Sequence, residues 1–584
     1  MHNENLQNVG HWSISALKDK RMKKIEKTTW QYLNAVTRKG KINIVILLLA
    51  QAILGISSIF YAFFLRDIIN EAVAGNGEGF FRAVAAFALL VCAQLLVRAL
   101  TRFLEEHTRA SVENCAKERL FATLMEKEYQ AVAAVHSGEW MNRLTGDTVV
   151  VANGITEILP GLTGMIVRLV GALSAIVVLE PGFLYLIVPG GILLIGFSYA
   201  FRKVLKEHHN HVRNRDGSLY MYMQESLSGM LVVRSYGVEA AVAKEASGKM
   251  EDHKRARIKK NHFSNICNTG FGLVMNGAYV LGALWGGYGI LKGTMTYGSF
   301  MAVIQLIGQI QYPFANISGF LPRFYGMMAS CERLMEAEAY KGPTEETKTA
   351  EETREMYQEQ MKSLVISDVS FSYGEDENRL QVLTDIHFAV QKGDCVAFVG
   401  DSGCGKSTLL KLIMGVYEPK SGSIWVEMQD EKKASVREWK RLFAYVPQGN
   451  HLMSGTIRDV VRFHREAPGA GMTVEEALKL ACADFVWELP EGIETVLGEK
   501  GAGLSEGQMQ RIAIARALYA DAPVLIFDEA TSALDEMTEK RLLEQLKQLT
   551  NKTILIATHR KAVLDICNKQ LIFVDGKPPR IMGE

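Results

Sequence analysis

A glycine-rich run in the second half of the chain has the residue types and spacing that bind phosphate. It reads G-x-x-x-x-G-K-S and stands between an apolar strand predicted for residues 395–399 and a helix predicted for residues 408–414. Glycines let several backbone N–H groups point at one anion, and the helix N-terminus adds positive partial charge. We expect Lys406 to reach the β- and γ-phosphates and the Ser407 hydroxyl to bind Mg²⁺. The nucleotide-binding candidates in this run are Gly400, Asp401, Ser402, Gly403, Cys404, Gly405, Lys406, Ser407 and Thr408.

Two consecutive acids, Asp528 and Glu529, follow a buried strand predicted for residues 524–527. A carboxylate at a strand end beside a phosphate loop can hold the water shell of Mg²⁺, which is the role we expect of Asp528. Glu529 is then placed to polarise the attacking water. The two motifs together predict Mg²⁺-dependent hydrolysis of ATP.

Length and charge distribution indicate two domains of different character. The chain has 584 residues, more than one core usually accommodates, and its formal net charge of +1 gives no reason to expect nucleic acid. Long stretches carry no charge up to about residue 322, whereas charges occur every few residues from residue 332 onward. The eight cysteines are scattered without metal-like spacing, and we expect no disulfide framework.

The first half predicts a six-helix membrane domain over residues 41–337. Its apolar stretches reach or exceed the ~20 residues needed to span a bilayer. They are residues 42–65, 80–103, 158–179, 182–201, 262–291 and 294–321. A basic lead, residues 1–40, predicts an interfacial helix near Trp30. Apolar residues recur at helical spacing in the long connections, so we expect the spans to continue into the cytoplasm as helices.

Loop charges predict the orientation of this domain. The basic lead and residues 202–260 are rich in Lys and Arg, whereas the connection at residues 67–79 is short and acidic. The positive-inside rule therefore places the N-terminus and the two long loops, at about residues 105–153 and 202–261, in the cytoplasm. An even number of spans returns the second half there too, and we expect an integral protein of the plasma membrane.

The second half predicts a layered α/β domain over residues 363–584. Short apolar runs typical of strands alternate with helical stretches. They are residues 364–373, 395–399, 423–426, 443–446, 524–527, 553–556 and 571–574. Residues 338–362 are polar and acidic, which predicts a solvated linker.

The run Leu504-Ser505-Glu506-Gly507-Gln508 resembles the signature of ATP-binding cassette (ABC) proteins, and it lies just upstream of the acidic strand as that family requires. The resemblance implies a P-loop NTPase fold and further site residues. Ser505, Gly507 and Gln508 would contact the nucleotide bound by a partner chain. Family members usually carry Gly in place of Glu506, and we expect a working site because Ser505 and Gly507 remain.

Four other positions match the family's motifs, and their roles are implied by the resemblance. Tyr373 would stack on adenine, and Gln448 would link Mg²⁺ and the attacking water to the membrane domain. Asp535 lies in the run that resembles the dimer-contact loop. His559 resembles the switch histidine that contacts the γ-phosphate, so the expected catalytic set is Glu529, His559, Lys406 and Gln448.

The resemblance extends to the membrane half. Residues 138–147 and 224–236 resemble the cytoplasmic loop segments of exporter-type members, and residues 495–501 resemble the exporter-specific loop. From about Trp30 the chain resembles a type IV, B-subfamily-like half-transporter, with one membrane domain fused to one ATPase domain. This implies an exporter that pairs with a second half-transporter, most simply itself. It would move an amphipathic substrate (lipid, drug-like molecule or peptide) out of the cytoplasm or inner leaflet by alternating access.

Two other functions stay open: one half of a heterodimeric exporter, and a membrane regulator switched by ATP. The apolar spans exclude the soluble family members that act on DNA or ribosomes, and an importer would usually have a separate permease chain. Arg168 is the deepest ionisable residue of the predicted spans, and either an anionic cargo group or a partner within the protein would explain it. His208, His209 and His211 would form either a metal site or part of a solvated helix.

Overall fold

The computed structural model describes most of the chain from residue 29 to residue 582. Outside the described residues lie 1–28, 39, 341, 343–346, 374–379, 450, 464–471, 499–500, 502, 575–576 and 583–584. Most of the basic lead and the centre of the exporter-type loop at residues 499–500 are therefore not described. Residues 29–36 are helical (α1), with Tyr32, Leu33 and Val36 buried and Trp30 exposed.

The chain divides into two compact units. The first contains the described residues up to Ala122 together with Gly138–Glu338, and the second contains Thr123–Ser137 and the chain from Ala339 onward. The segment Thr123–Ser137 thus groups with the second unit, although the chain on both sides of it belongs to the first.

The described part of the first unit consists of helices and the turns that join them. Its long helices are α2 (Lys41–Val73), α3 (Gly77–Glu126), α7 (Leu159–Leu179), α8 (Leu184–Ser228), α10 (Glu239–Leu291) and α11 (Tyr297–Ala339). The short ones are α5 (Ser137–Asn142), α6 (Thr148–Asn153) and α9 (Met230–Ser235). Two π-helical turns, Arg143–Asp147 and Gly154–Ile158, join α5, α6 and α7 into one long helical run.

Among the residues that the structure describes, three helical segments are long and apolar enough to cross a bilayer: Lys41–Val73, Gly77–Glu126 and Ser137–Leu179. Large apolar side chains such as Leu89, Leu96 and Phe103 are exposed along α3, as a surface that faces lipid requires. The helical membrane domain is therefore confirmed, whereas the number of crossings, six, stays a prediction.

A buried ion pair fastens the end of α11 to the first π-helical turn. Asp147 is 5% exposed and accepts hydrogen bonds of 2.8 Å from the Ser330 hydroxyl and from Nε of Arg333. One turn earlier, Arg143 donates to Glu139 at 2.6 Å and to the carbonyl of Arg333 at 3.0 Å. A buried carboxylate needs such partners, so this network fixes how the two helices meet.

The second unit is a layered α/β structure built on a six-stranded sheet in the order β12-β11-β3-β10-β9-β6. Five of these strands are parallel, and β12 pairs with β11 in the antiparallel direction. They are β3 (Cys395–Val399), β6 (Phe443–Val446), β9 (Val524–Asp528), β10 (Thr553–Thr558), β11 (Lys569–Val574) and β12 (Lys577–Met582). The predicted α/β fold class is confirmed.

Two smaller sheets complete the strands of this unit. An antiparallel sheet has the order β2-β1-β4-β5, and β7 pairs with β8. These strands are β1 (Met361–Tyr373), β2 (Leu380–Gln391), β4 (Ser421–Met428), β5 (Lys433–Ser435), β7 (Gly455–Thr456) and β8 (Val496–Leu497). The helices of the unit are α4 (Tyr129–Ala133), α12 (Ala350–Glu355), α13 (Lys406–Ile413), α14 (Ile457–Arg462), α15 (Val474–Leu480), α16 (Glu506–Tyr519), α17 (Glu536–Lys547) and α18 (Lys561–Leu564).

Strand β9 separates the two apolar cores of the second unit. Val524 and Ile526 belong to the core that contains α13, whereas Leu525 and Phe527 belong to the core that contains α16. All five residues of β9 are buried, which explains its uninterrupted apolar sequence.

The stretch predicted as a solvated linker is partly folded. Residues 350–355 form α12, and the π-helical turn Met356–Gln360 leads directly into β1. Met356 and Tyr357 are 1% and 3% exposed and belong to the core that contains α13. Acidic residues dominate the composition of residues 338–362, so the sequence pattern did not reveal that Met356 and Tyr357 are buried in the core.

Candidate functional site

The topology of the six-stranded sheet brings together, at one edge, the residues predicted to bind and hydrolyse the nucleotide. Strands β3, β6, β9 and β10 are parallel and lie in one sheet, so their carboxyl ends point the same way. The phosphate loop follows β3, Gln448 follows β6 and His559 follows β10. Asp528 is the last residue of β9, and Glu529 comes directly after it.

The phosphate loop takes the tight backbone that its glycines permit. Gly403 and Gly405 have φ of 87° and 101°, and a Cβ at Gly405 would lie 2.7 Å from a Leu383 methyl carbon. Lys406 begins α13 and is 5% exposed. Its Nζ donates to the carbonyls of Gly400 (2.6 Å) and Asp401 (2.9 Å), which holds the ammonium inside the loop.

The predicted Mg²⁺ ligands are in direct contact. The Ser407 hydroxyl donates a 2.9 Å hydrogen bond to Oδ1 of Asp528, and the Tyr445 hydroxyl donates one of 3.0 Å to Oδ2. Asp528 is 1% exposed, and this burial raises the pKa of its carboxyl against the opposing effect of the two hydrogen bonds. Tyr445 was missed by sequence reasoning because it sits mid-strand in β6, outside every motif.

Glu529 is held by two of the predicted site residues. Nε2 of Gln448 donates to Oε2 at 2.8 Å, and Nε2 of His559 lies 3.1 Å from Oε1. The same His559 nitrogen lies 3.2 Å from Nζ of Lys406, so its tautomer decides whether it donates to Glu529 or accepts from Lys406. Glu529 has φ of 53°, a left-handed conformation that turns the chain at the end of β9.

Tyr373 belongs to an aromatic cluster at the end of β1. Its hydroxyl lies 3.1 Å from Oγ1 of Thr408, which connects it to the phosphate loop. Its ring is T-shaped against Phe371, whose ring stacks on Tyr417 with an interplanar angle of 3°. Tyr129 of α4 packs against Tyr417 with ring centroids 6.1 Å apart, so the segment between α3 and α5 reaches this cluster.

The signature residues form the beginning of α16. Ser505 is its N-cap: its hydroxyl accepts from the Gln508 amide (3.3 Å), and the Gln508 side chain accepts from the Ser505 amide (2.9 Å). A Cβ at Gly507 would lie 2.7 Å from the carbonyl of Ala533, so the start of α16 packs directly on the run that leads to Asp535.

Asp535 itself caps α17 by accepting from the Thr538 amide at 2.9 Å, which lowers the pKa of its carboxyl. The run before it is also held by Arg560, which donates to the carbonyls of Ser532 (2.7 Å) and Leu534 (3.0 Å) and to Glu539 (2.7 Å). Within the described residues, no hydrogen bond or ion pair joins Ser505, Gly507 or Asp535 to residues 400–408. The site therefore consists of two separate groups of residues.

The first group fits a magnesium nucleotide. Backbone curled by two left-handed glycines, the N-terminus of α13 and the Lys406 ammonium suit the phosphates. Oxygens of Ser407 and Asp528, with the Gln448 amide close to Glu529, are the hard ligands that Mg²⁺ prefers. Elsewhere, among the described residues, no cluster of His, Cys, Asp and Glu has the arrangement of a metal site.

Two family models match the chain. The model of the "ABC transporter transmembrane region" matches residues 43–314, and the model described as "ABC transporter" matches residues 383–532. Together they cover well over half of the sequence.

Curated relatives match over nearly the full length. The chain is 27% identical to an ATP-dependent lipid A-core flippase of Vibrio cholerae serotype O1, over 94% of this chain and 93% of that protein. It is 25% identical to the alpha-hemolysin translocation ATP-binding protein HlyB of Escherichia coli O157:H7, over 88% of this chain and 72% of that protein. Among solved structures, a bacterial Atm1-family ABC exporter with ATP bound has the same fold, with a TM-score of 0.76, 22% identity and coverage of 94% and 96%.

Proposed function

The chain belongs to the ABC transporters of exporter type, with one transmembrane region fused to one ATP-binding domain, and we propose that it works as a homodimer that pumps an amphipathic substrate. It is an ATPase coupled to transport. The observation that carries the proposal is the separation of the site into two groups: the phosphate loop with its acids, and the signature with Asp535.

Nucleotide binding falls to the first group. We assign the phosphates to the N–H groups of residues 400–408 and to Lys406, and the adenine to the ring of Tyr373. Ser407, Gln448 and Asp528 would hold Mg²⁺, which when bound neutralises charge on the β- and γ-phosphates. Tyr445 keeps the Asp528 carboxylate turned toward Ser407.

Hydrolysis requires a water aligned with the γ-phosphate. Glu529 is the group that polarises this water, because both of its oxygens are held at the sheet edge by Gln448 and His559. His559 lies between Glu529 and Lys406, from where it can donate to the γ-phosphate. Positioning and charge, more than covalent chemistry, account for catalysis of this kind.

The second group serves a partner subunit. The hydroxyl of Ser505 and the N–H of Gly507 stand at the N-terminus of a 14-residue helix, which attracts a phosphate. A second copy of the chain would supply these donors to the first copy's nucleotide, and the reverse, in a two-fold dimer. ATP would then hold the dimer closed, and loss of the γ-phosphate would release it.

Membrane coupling follows from the long helices. Helices such as α3 and α10, of 50 and 53 residues, are much longer than the ~20 residues that cross a bilayer. Their extensions carry the cytoplasmic loops, in the orientation that the loop charges favour, with the ATP-binding domain in the cytoplasm and the spans in the plasma membrane. Closure of the dimer would exchange an inward-facing for an outward-facing cavity.

The experiment uses the full chain purified alone and placed in lipid nanodiscs. We expect the mass of a dimer, and ATP hydrolysis that EDTA abolishes and that Glu529→Gln lowers at least a hundredfold. Inside-out vesicles should accumulate a fluorescent lipid or drug only with ATP. Hydrolysis that appears only after mixing with another half-transporter would show that the chain works in a heterodimer and not in a homodimer. Hydrolysis without transport would favour a membrane regulator switched by ATP.

A further inference from the structure

A cavity of about 190 Å³ lies among α2, α3, α7 and α11 of the membrane unit. Its wall includes polar groups of Gln51, Thr156, Arg168 and Tyr312 and the ring of Phe320. Since one water occupies roughly 30 Å³ in the liquid, the cavity has room for a group the size of a phosphate or carboxylate.

Close backbone packing fixes the position of Arg168 at this cavity. A Cβ at Gly55 of α2 would lie 3.0 Å from the carbonyl of Gly164 and 3.4 Å from the amide nitrogen of Arg168, so α2 and α7 nearly touch here. Gly161, Gly164 and Arg168 are spaced three and four residues apart and share one face of α7. The face that carries the guanidinium is therefore the face that lines the cavity.

The guanidinium of Arg168 is poorly satisfied within the chain. It lies 4.6 Å from the centre of the Tyr312 ring, and its Nε is buried without a hydrogen-bond partner. In the described part of the chain no hydrogen bond or ion pair reaches Arg168. Five N–H donors and a full charge in a membrane span call for an acceptor.

The charges near the cavity do not compensate Arg168. Of the two carboxylates that line it, Glu157 is paired with Arg323 at 2.8 Å. In the described part of the chain the other, Glu105, forms no hydrogen bond or ion pair with Arg168. The Arg168 guanidinium is thus left without an ion-pair partner at its end of the cavity.

We propose that this cavity binds the anionic headgroup, phosphate or carboxylate, of the amphipathic substrate, with Arg168 as its charged ligand. The inference rests on the export function proposed above and names the substrate class. A charge-assisted hydrogen bond away from bulk water would then discriminate among headgroups.

The test is binding without nucleotide, by the full chain in nanodiscs of phosphatidylcholine. The probes share a twelve-carbon tail: dodecyl phosphate, dodecanoate, dodecyltrimethylammonium and dodecyl maltoside, with empty nanodiscs as the baseline. We expect the two anions to bind at least tenfold more tightly than the cation and the maltoside. Tighter binding of the phosphate than of dodecanoate identifies a phosphate headgroup, and the reverse order identifies a carboxylate.

Arg168→Gln should weaken binding of the preferred anion about tenfold or more, and Arg168→Lys should weaken it less. Arg82→Gln is the matched control, because Arg82 is exposed on α3 and pairs only loosely with Glu78. Equal binding of the anions and the cation by the unmodified chain would overturn the inference, and this measurement does not depend on the folding of any variant. Unchanged anion binding by Arg168→Gln would also overturn it. Failure of ATP-driven transport with anion binding intact would instead remove the proposed function alone.

Discussion

The hydroxyl of Tyr445 donates a 3.0 Å hydrogen bond to Oδ2 of Asp528, opposite the bond that Ser407 makes to Oδ1. The two donors fix the plane of a buried carboxylate whose oxygens are proposed to face Mg²⁺. Burial and the nearby Asp528 raise the pKa of Tyr445, so the phenol stays protonated and able to donate at any physiological pH.

Removal of the Tyr445 hydroxyl should therefore weaken Mg²⁺ binding more than it lowers catalysis. For Tyr445→Phe we expect the Mg²⁺ concentration for half-maximal ATPase to rise about tenfold, with near-normal activity at saturation. Mn²⁺ binding followed by electron paramagnetic resonance gives a readout independent of turnover. Tyr357→Phe loses a comparable 2.9 Å bond, to Thr553 away from the site, and should leave the Mg²⁺ dependence unchanged. An unchanged Mg²⁺ requirement in Tyr445→Phe would contradict the assignment.

Neutralising Glu529 should separate binding from hydrolysis. Glu529→Gln keeps the size of the side chain between Gln448 and His559 but removes the carboxylate, so we expect hydrolysis to fall about 10²- to 10⁴-fold. Binding of a fluorescent ATP analogue should remain. Glu544→Gln changes an exposed acid of α17 and serves as the control. Loss of nucleotide binding in Glu529→Gln would show that the residue holds the nucleotide and does not act on water.

Alkylation of Cys404 should block the phosphate loop. Its Sγ lies 3.9 Å from Nζ of Lys406, so a maleimide adduct would occupy the space of the phosphates. We expect N-ethylmaleimide to abolish ATPase activity, MgATP to protect it, and Cys404→Ser to be resistant. If the serine variant were inactivated as fast as the unmodified chain, another cysteine would be responsible.

Arg560 should stabilise the run that ends at Asp535. It is the partner of Glu539, which is 3% exposed, and its loss would leave that carboxylate buried and unpaired. We expect Arg560→Ala to lower the free energy of unfolding of the ATP-binding domain by about 3 kcal/mol, seen as a lower Tm. The double variant Arg560→Ala/Glu539→Gln should regain part of this loss. Strictly additive effects of the two changes would mean that the pair is not coupled.

The contact between Tyr129 and Tyr417 should support the proposed adenine site at Tyr373. Through Tyr417 and Phe371 the ring of Tyr129 is linked to Tyr373, so we expect Tyr129→Ala to raise the KM for ATP about threefold and Tyr129→Phe to leave it near normal. Steady-state ATPase assays in nanodiscs measure both. Equal KM values for the alanine variant and the unmodified chain would exclude this link.

Much of the site could be predicted because its residues follow strands of one parallel sheet. The motifs are far apart in the chain, but each one follows a strand that the sequence pattern predicts, and parallel strands bring their carboxyl ends together. The residues gathered in this way are Lys406, Gln448, Asp528, Glu529 and His559.

The supporting contacts could not be predicted in the same way. Tyr445 contacts Asp528 on a neighbouring strand, and Arg560 contacts the carbonyl of Ser532 in the turn before α17. Tyrosine and arginine are common at such positions, so their residue types give no signal in the sequence. Likewise, no periodicity in residues 123–137 indicates that this short stretch of a membrane half belongs to the other unit. Such contacts depend on packing between residues distant in sequence, which local pattern does not encode.

Gly507, in the signature, lies so close to the run before Asp535 that an added Cβ would be 2.7 Å from the carbonyl of Ala533. Gln510 makes further hydrogen bonds of 3.0 Å to the Ser532 hydroxyl and the Ala533 amide. The signature and the run before Asp535 must consequently shift as one rigid piece. That run begins only three residues after Glu529. In the proposed homodimer, a γ-phosphate that draws Ser505 toward the neighbouring protomer would therefore also displace Glu529, the proposed water-activating acid of the same protomer as Ser505, and would so couple the two proposed catalytic centres.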